Sequence, residues 1–287
     1  VILEREEYIE QAYFFRAYRE RIEEGIPAQQ VLSAIHEEIL ATTRLPMAIE
    51  FLRGEIVHHG RLSEGMKRLA HYFTAFQAFV MSQAEDDRSK LDQRVALELL
   101  QKEAEYRAGN VSTAGLFVYQ FESICRNKLG YEAGLLAVAA DPMYDAAWSE
   151  WIKRTRLKLG AVDFGELIWF HSEQWMLDRK RHVGEAAGDP PHAILFGAKE
   201  GRIAAANRGR DPLHMFAALQ RQLGYPAVPR SHASTGPEKR VALLEQRLRE
   251  LEKRTQLLEA EAKGQMDLSQ FYVKTPKFTD DGLAGAG

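Results

Sequence analysis

Residues 58–70 read HHGRLSEGMKRLA, and the adjacent His58 and His59 are the first candidates for metal chemistry. With Glu55, His58 makes a Glu-x-x-His pair, the spacing that sets two ligands on one helix face in di-iron bundles. A dinuclear site needs two such pairs, and the sequence holds no second one. His36 with Glu37 and Glu38 reads as a solvated helix face. Histidines at a helix C-terminus are also favoured by the helix dipole. The stretch therefore reads as punctuation between helices, with neither metal nor cofactor expected.

Cys125 is the single cysteine, which excludes an internal disulfide and a zinc ribbon. Its place on the apolar aromatic run 117–127 marks it as a buried structural thiol. No Walker loop, nucleophile elbow or dinucleotide fingerprint occurs, and no catalytic residue is assigned. The stretch 195–226 reads as non-helical up to Asp211-Pro212, which starts a helix carrying Leu213, Phe216, Leu219 and Leu223. Lys199, Arg202, Arg208 and Arg210 precede that start. Arg208 and Arg210 could hold an anion at the helix N-terminus; a solvated loop beside a docking helix is the other reading.

The elements that must position these residues are helices nearly throughout. At 287 residues, 45% hydrophobic and 28% charged, the chain can bury a sizeable core in about two domains. A net charge of -3 argues against bulk nucleic-acid binding. The longest apolar runs, such as 134–140, fall far short of the ~20 residues of a membrane helix. No N-terminal apolar block resembles a signal peptide, so a cytoplasmic protein without membrane insertion is expected.

Tyr8, Ala12, Phe15 and Ile22 recur at helical spacing, and Gly25 ends their helix. Pro27 and Pro46 sit where first-turn prolines are tolerated. Ser63 is expected to cap a fourth helix after Gly60, residues 74–83 to make a fifth, and Ser89 with Asp92 to open a sixth. The second half partly echoes the first: Gly60-Arg-Leu-Ser-Glu-Gly65 matches Gly160-Ala-Val-Asp-Phe-Gly165 at an offset of 100. Gly25 pairs with Gly130 at 105, each preceded by an aromatic helix, which predicts a duplication.

The runs FFRAYRERIEEGIPAQQVLSAI, LPMAIEFLRGEIVHHGRLSEGMKRL and FTAFQAFVMSQAEDD resemble the cytoplasmic helical domain of the inner-membrane platform protein of type II secretion and type IV pilus machines. Gly25, Gly60, Leu62 and Ser63 match that family's places, and Glu85 stands where it carries a Val-Gly-Glu segment. In the second half, VGEAAGD at 183–189 resembles the same segment. The family's membrane hairpins have no counterpart here. The resemblance implies a soluble helical scaffold or adaptor, related to a secretion or pilus assembly.

Toward the C-terminus, Leu244, Leu248, Leu251, Thr255 and Leu258 alternate by three and four in a short heptad run behind the hinge SHASTGP. It reads as an oligomerising coiled coil, or as a helix packed back on the body. The tail QFYVKTPKFTDDGLAGAG is expected to be disordered, with Phe271, Tyr272 and Phe278 offering a short partner-binding peptide.

The expected fold is all-α: a short-helix antiparallel bundle, duplicated, with a C-terminal coiled-coil helix. Its divisions are a platform-like six-helix domain (1–110), a divergent second domain (111–189), a loop plus docking helix (190–230), hinge and coiled coil (231–265) and tail (266–287). The expected function is a non-enzymatic cytoplasmic scaffold or adaptor with protein partners, homo-oligomeric through its C-terminal helix. The alternative is a helical enzyme or anion-binding protein using the basic loop 199–210. A DNA-binding regulator is disfavoured by the net acidity.

Each leucine of the heptad seam is worth ~1.5 to 3 kcal/mol on burial, so the segment needs a partner surface. Replacing Leu248 and Leu251 with Lys is expected to shift the protein to monomer in light scattering, with its helical circular dichroism largely kept. A monomeric native protein at high concentration would contradict self-association.

Overall fold

The computed structural model describes residues 2–39, 41–86, 88–89, 91–183 and 188–230; the hinge, heptad run and tail lie outside them. Among the described residues the chain is all-α, with thirteen helices and two isolated β-bridges. The first six are α1 (Arg5–Glu23), α2 (Ala28–Glu38), α3 (Leu45–His59), α4 (Leu62–Arg68), α5 (Ala75–Ala84) and α6 (Gln93–Ala108). There follow α7 (Thr113–Arg126), α8 (Tyr131–Ala139), α9 (Ala146–Lys158), α10 (Phe164–Phe170), α11 (Glu173–Val183), α12 (Ala198–Ala206) and α13 (Pro212–Leu223).

Local chemistry sets most boundaries. Gly60 closes α3 at φ 68°, in the left-handed region that costs a glycine little. Pro27 precedes α2 and Pro46 lies in the first turn of α3, where a missing N–H costs no hydrogen bond. Thr74 and Gln77 form a reciprocal capping box at the start of α5.

Two expected caps are corrected. The α6 N-terminus is closed by Asp92, whose Oδ1 accepts from the Arg94 amide at 2.8 Å; Ser89 only turns the preceding loop, accepting from Leu91. Ser63 lies inside α4, buried, and caps nothing. Instead the Glu85 carboxylate, beyond α5, accepts from the amides of Leu62 (2.6 Å) and Ser63 (3.0 Å). A carboxylate bridges two exposed amides and meets the positive end of the helix, which one hydroxyl cannot match. A third correction concerns the expected basic loop 199–210. Most of it is the helix α12, built on Gly197, whose small residues fit the close contacts described below.

The described residues belong to one compact unit, Val1–Ser231. The expected divisions at 110 and 189 fall inside it, because one apolar core runs from Leu3 to Val228. Its spine is α7, in which every residue from Gly115 to Ile124 is buried. Within this unit the two halves share an order of packed neighbours. Helix α1 lies against α2 and α6 as α7 lies against α8 and α13; α2 packs on α3 as α8 on α9. Likewise α4 packs on α5 and α5 on α6, as α10 on α12 and α12 on α13. Arg5 Nε donates to the Ala108 carbonyl (3.0 Å), joining the start of α1 to the end of α6.

The matched glycine motifs also behave alike. Gly60 and Gly160 both take positive φ, at 68° and 89°. A Cβ on Gly65 would meet Leu52 Cδ2 at 2.6 Å, and one on Gly165 the Ala204 carbonyl at 2.9 Å. Both glycines admit a close helix neighbour, α3 in the first case and α12 in the second.

A buried polar cluster joins the halves. Arg107, on α6, donates to Glu103 Oε1 (2.9 Å) and to Asp141, which follows α8. Gln120 of α7 donates to Glu103 Oε1 (2.7 Å), and the Tyr144 hydroxyl donates to Gln120 Oε1 (2.7 Å). The Arg107 and Glu103 side chains and Gln120 are removed from solvent. Burial pushes the Glu103 carboxyl above its usual range; Arg107 opposes that shift and the neighbouring Asp141 adds to it.

Removing the cation leaves two buried carboxyl groups facing each other. Arg107→Met is therefore expected to cost about 3 to 5 kcal/mol in urea denaturation. Glu103→Gln should cost distinctly less, because Arg107 keeps Asp141 as a partner. Equal losses for the two variants would contradict this ranking.

Candidate functional site

The Glu-x-x-His pair is separated by its surroundings. Glu55 is buried toward α4, where its carboxylate takes the Arg68 guanidinium at 2.8 Å and lies 3.8 Å from His59 Nε2. His58 is exposed on α3 and does not share that partner. Glu38 accepts from Arg21 and from the Tyr13 hydroxyl, which together hold its carboxyl below the usual range, the tyrosine bond first. Among the described residues no group of three or more His, Cys, Asp or Glu is placed to hold a metal ion. Burial pushes the Cys125 thiol up to about 12, which keeps it protonated at neutral pH.

The basic stretch is also engaged internally. Arg208 Nε pairs with Glu166 Oε2 at 2.9 Å, and its guanidinium lies 3.6 Å from the centroid of the Trp169 ring. Asp211 caps α13 itself, its Oδ1 accepting from the Leu213 amide at 2.9 Å. A carboxylate thus already lies at the helix end where an anion would bind. Arg210 is exposed in the turn between α12 and α13, and Lys199 and Arg202 are exposed on α12. Leu244, Leu248, Leu251 and Leu258 lie outside the described residues.

What the fold does present is a side of α3. Leu45, Ile49 and Leu52 face the core and are fully buried. Met47 (72% exposed), Phe51 (38%) and Val57 (61%) are left on the outer side. Met47, Phe51 and Gly54 follow the four-then-three spacing of one helix stripe, with Val57 on its flank. Val57 also lines an open cleft of about 640 Å³ between α2 and α3. Gln30, Ser33 and Glu37 line it from α2, and Glu50, Arg53 and Gly54 from α3. Arg53 and Glu50 pair across one turn at 2.8 Å, and Ala34 and Val57 add apolar groups to the lining.

The sequence reading of this helix rests on Pro46, Gly60 and the Glu55–His58 pair and does not single out its outer side. The signal was present: LPMAIEFLRGEIV carries more large apolar residues than one buried stripe can use.

Because Glu55 is held by Arg68 and His59, elemental analysis of the purified protein is expected to find no stoichiometric iron or zinc. His58→Ala should change stability by less than about 0.5 kcal/mol, as for an exposed side chain. About one metal per chain, lost in that variant, would contradict this assignment.

In comparisons with known proteins, no family model, no curated protein and no solved structure matches the chain.

Proposed function

We propose that the protein is a non-enzymatic helical scaffold or adaptor, in which the outer side of α3 and the adjoining cleft receive an amphipathic helix of a partner protein. The observation that carries this reading is the joint exposure of Met47, Phe51 and Val57 on the outer side of α3, where Val57 also lines a cleft that carries hydrogen-bonding groups. A partner helix could set its apolar stripe on these three side chains and its polar flank against Gln30, Ser33 and Glu37. Support also comes from the chemistry-bearing residues, because Glu55, Cys125 and Arg208 are all committed to structural roles.

The resemblance to the secretion and pilus platform domain, carried by Gly25, Gly60, Leu62 and Ser63, supports a place for the scaffold in an assembly of that kind. The two halves are taken as diverged copies, in which α12 and α13 stand for α5 and α6 and α11 is inserted. Their shared neighbour order and the paired motifs at Gly60 and Gly160 support that view. Self-association through Leu244, Leu248, Leu251 and Leu258 would give the scaffold more than one such face. A cytoplasmic location is part of the same proposal.

A photo-crosslinking amino acid at position 51 tests the face in cells of the source organism. A discrete adduct is expected there, lost when Met47 and Val57 are changed to Lys, while the same probe at exposed position 6 gives none. No adduct at 51, or the same adducts at both positions, would overturn the reading.

A further inference from the structure

His171 and His192 each hold the other's stretch of backbone. His171 follows α10, and His192 lies in segment 188–197, which returns to that turn before α12. His171 Nδ1 lies 2.9 Å from the Ala193 carbonyl, and His192 Nε2 lies 2.6 Å from the Phe170 carbonyl. The two ring centroids are 4.5 Å apart. Beneath them the amides of Leu195 and Phe196 donate to the His171 carbonyl, at 2.8 and 3.1 Å. Phe196 is buried against Trp148, Trp151 and Phe117, with centroids 5.1, 5.3 and 6.3 Å away.

A carbonyl only accepts, so each imidazole donates through the nitrogen that faces it, and one proton per ring is enough. The second proton has no good place. His192 Nδ1 is buried without a hydrogen-bond partner, its ring stacked on Phe170 at 4.0 Å and 4.7 Å from Trp175. The charges acting on His171 from α9 are Arg154 and Lys158, both cationic. From α11, Arg179 covers Trp175 beside His192, and Glu173 is occupied by the Ala198 amide at 3.1 Å. Glu150 of α9 is paired with Arg154 at 2.9 Å. A doubly protonated pair would set two cations side by side among further cations.

We propose that His171 is the acid-released catch of a latch, in which the two neutral imidazoles clasp segment 188–197 over the aromatic core of the second half and protonation of His171 frees it. The scaffold reading is independent of this latch. Burial holds His171 down to about 4, against the raising effect of the Ala193 carbonyl, and His192, Lys158 and Arg154 add to the depression. The unfolded or released histidine titrates near the ordinary value of about 6.5. The neutral clasp is therefore at full strength above about pH 6.5, and its stabilisation is lost as pH falls toward about 4.

Hydrogen exchange, corrected for the intrinsic pH dependence, tests the latch on the full chain. The amides of Leu195 and Phe196 should lose protection on the order of a hundredfold between pH 7 and pH 4, while α1 and α7 keep theirs. His171→Asn with His192→Gln places a non-titrating amide nitrogen where each donor nitrogen stood. In that double variant the protection should no longer follow pH across this range. Should the double variant lose the clasp at pH 7, nuclear magnetic resonance titration of the wild-type imidazoles decides. The His171 midpoint must lie below the ordinary value and coincide with the loss of protection. An ordinary midpoint, a loss at a different pH, or the same pH response in a variant that keeps its clasp would overturn the latch.

Discussion

The cluster around Arg107 is the constraint on which the joined halves depend. One guanidinium meets two carboxyl groups, Glu103 and Asp141, from different parts of the chain, in a place that excludes water. Such a cation is costly to bury alone, and so is either carboxylate, so α6, α7 and the turn after α8 must arrive together. Gln120 and Tyr144 complete the arrangement, and both come from the second half. A polar cluster of this kind contributes less net stability than apolar packing would. What it contributes is register, because few other arrangements of these helices would pair all of its members.

The same logic operates within the first half. Glu7 accepts from the Arg44 amide (2.8 Å) and the Tyr72 hydroxyl (3.0 Å), and Gln11 donates to the Tyr72 carbonyl (3.1 Å) and accepts from Gln77. With Glu85 at the start of α4, polar side chains distant in sequence complete the helix ends here. A seven-residue helix such as α4 cannot sustain itself in isolation. Its existence is a property of the assembled half.

This dependence explains what the sequence did and did not disclose. Gly60, Pro27, Pro46, Thr74 and Asp92 act on their own neighbours, and a glycine or proline carries its conformational preference with it. The all-helical class was legible for that reason. Ser63 misled because its rank as a cap is local, whereas the group that closes α4 lies 22 residues further on. The small and basic residues of α12 carry little apolar periodicity and so read as loop; the segment is a helix packed against α10 and α13. Exposure of Met47 and Phe51 likewise depends on which face of α3 the core claims, and the pattern of apolar residues offers two. Mutual placement of His171 and His192 depends on how segment 188–197 folds back, for which spacing alone gives no sign.

The bond from Arg5 to the Ala108 carbonyl has a topological consequence. It brings the first helix of the leading half alongside its last, so that half begins and ends at one place. A segment closed on itself in this way can receive another at its exit without rerouting any internal connection. Its old ends could also be joined and new ones opened in a loop with little disturbance of the helices. The arrangement is thus modular in its chain path although a single core unites it. Growth by tandem addition would need only a short linker such as residues 109–112.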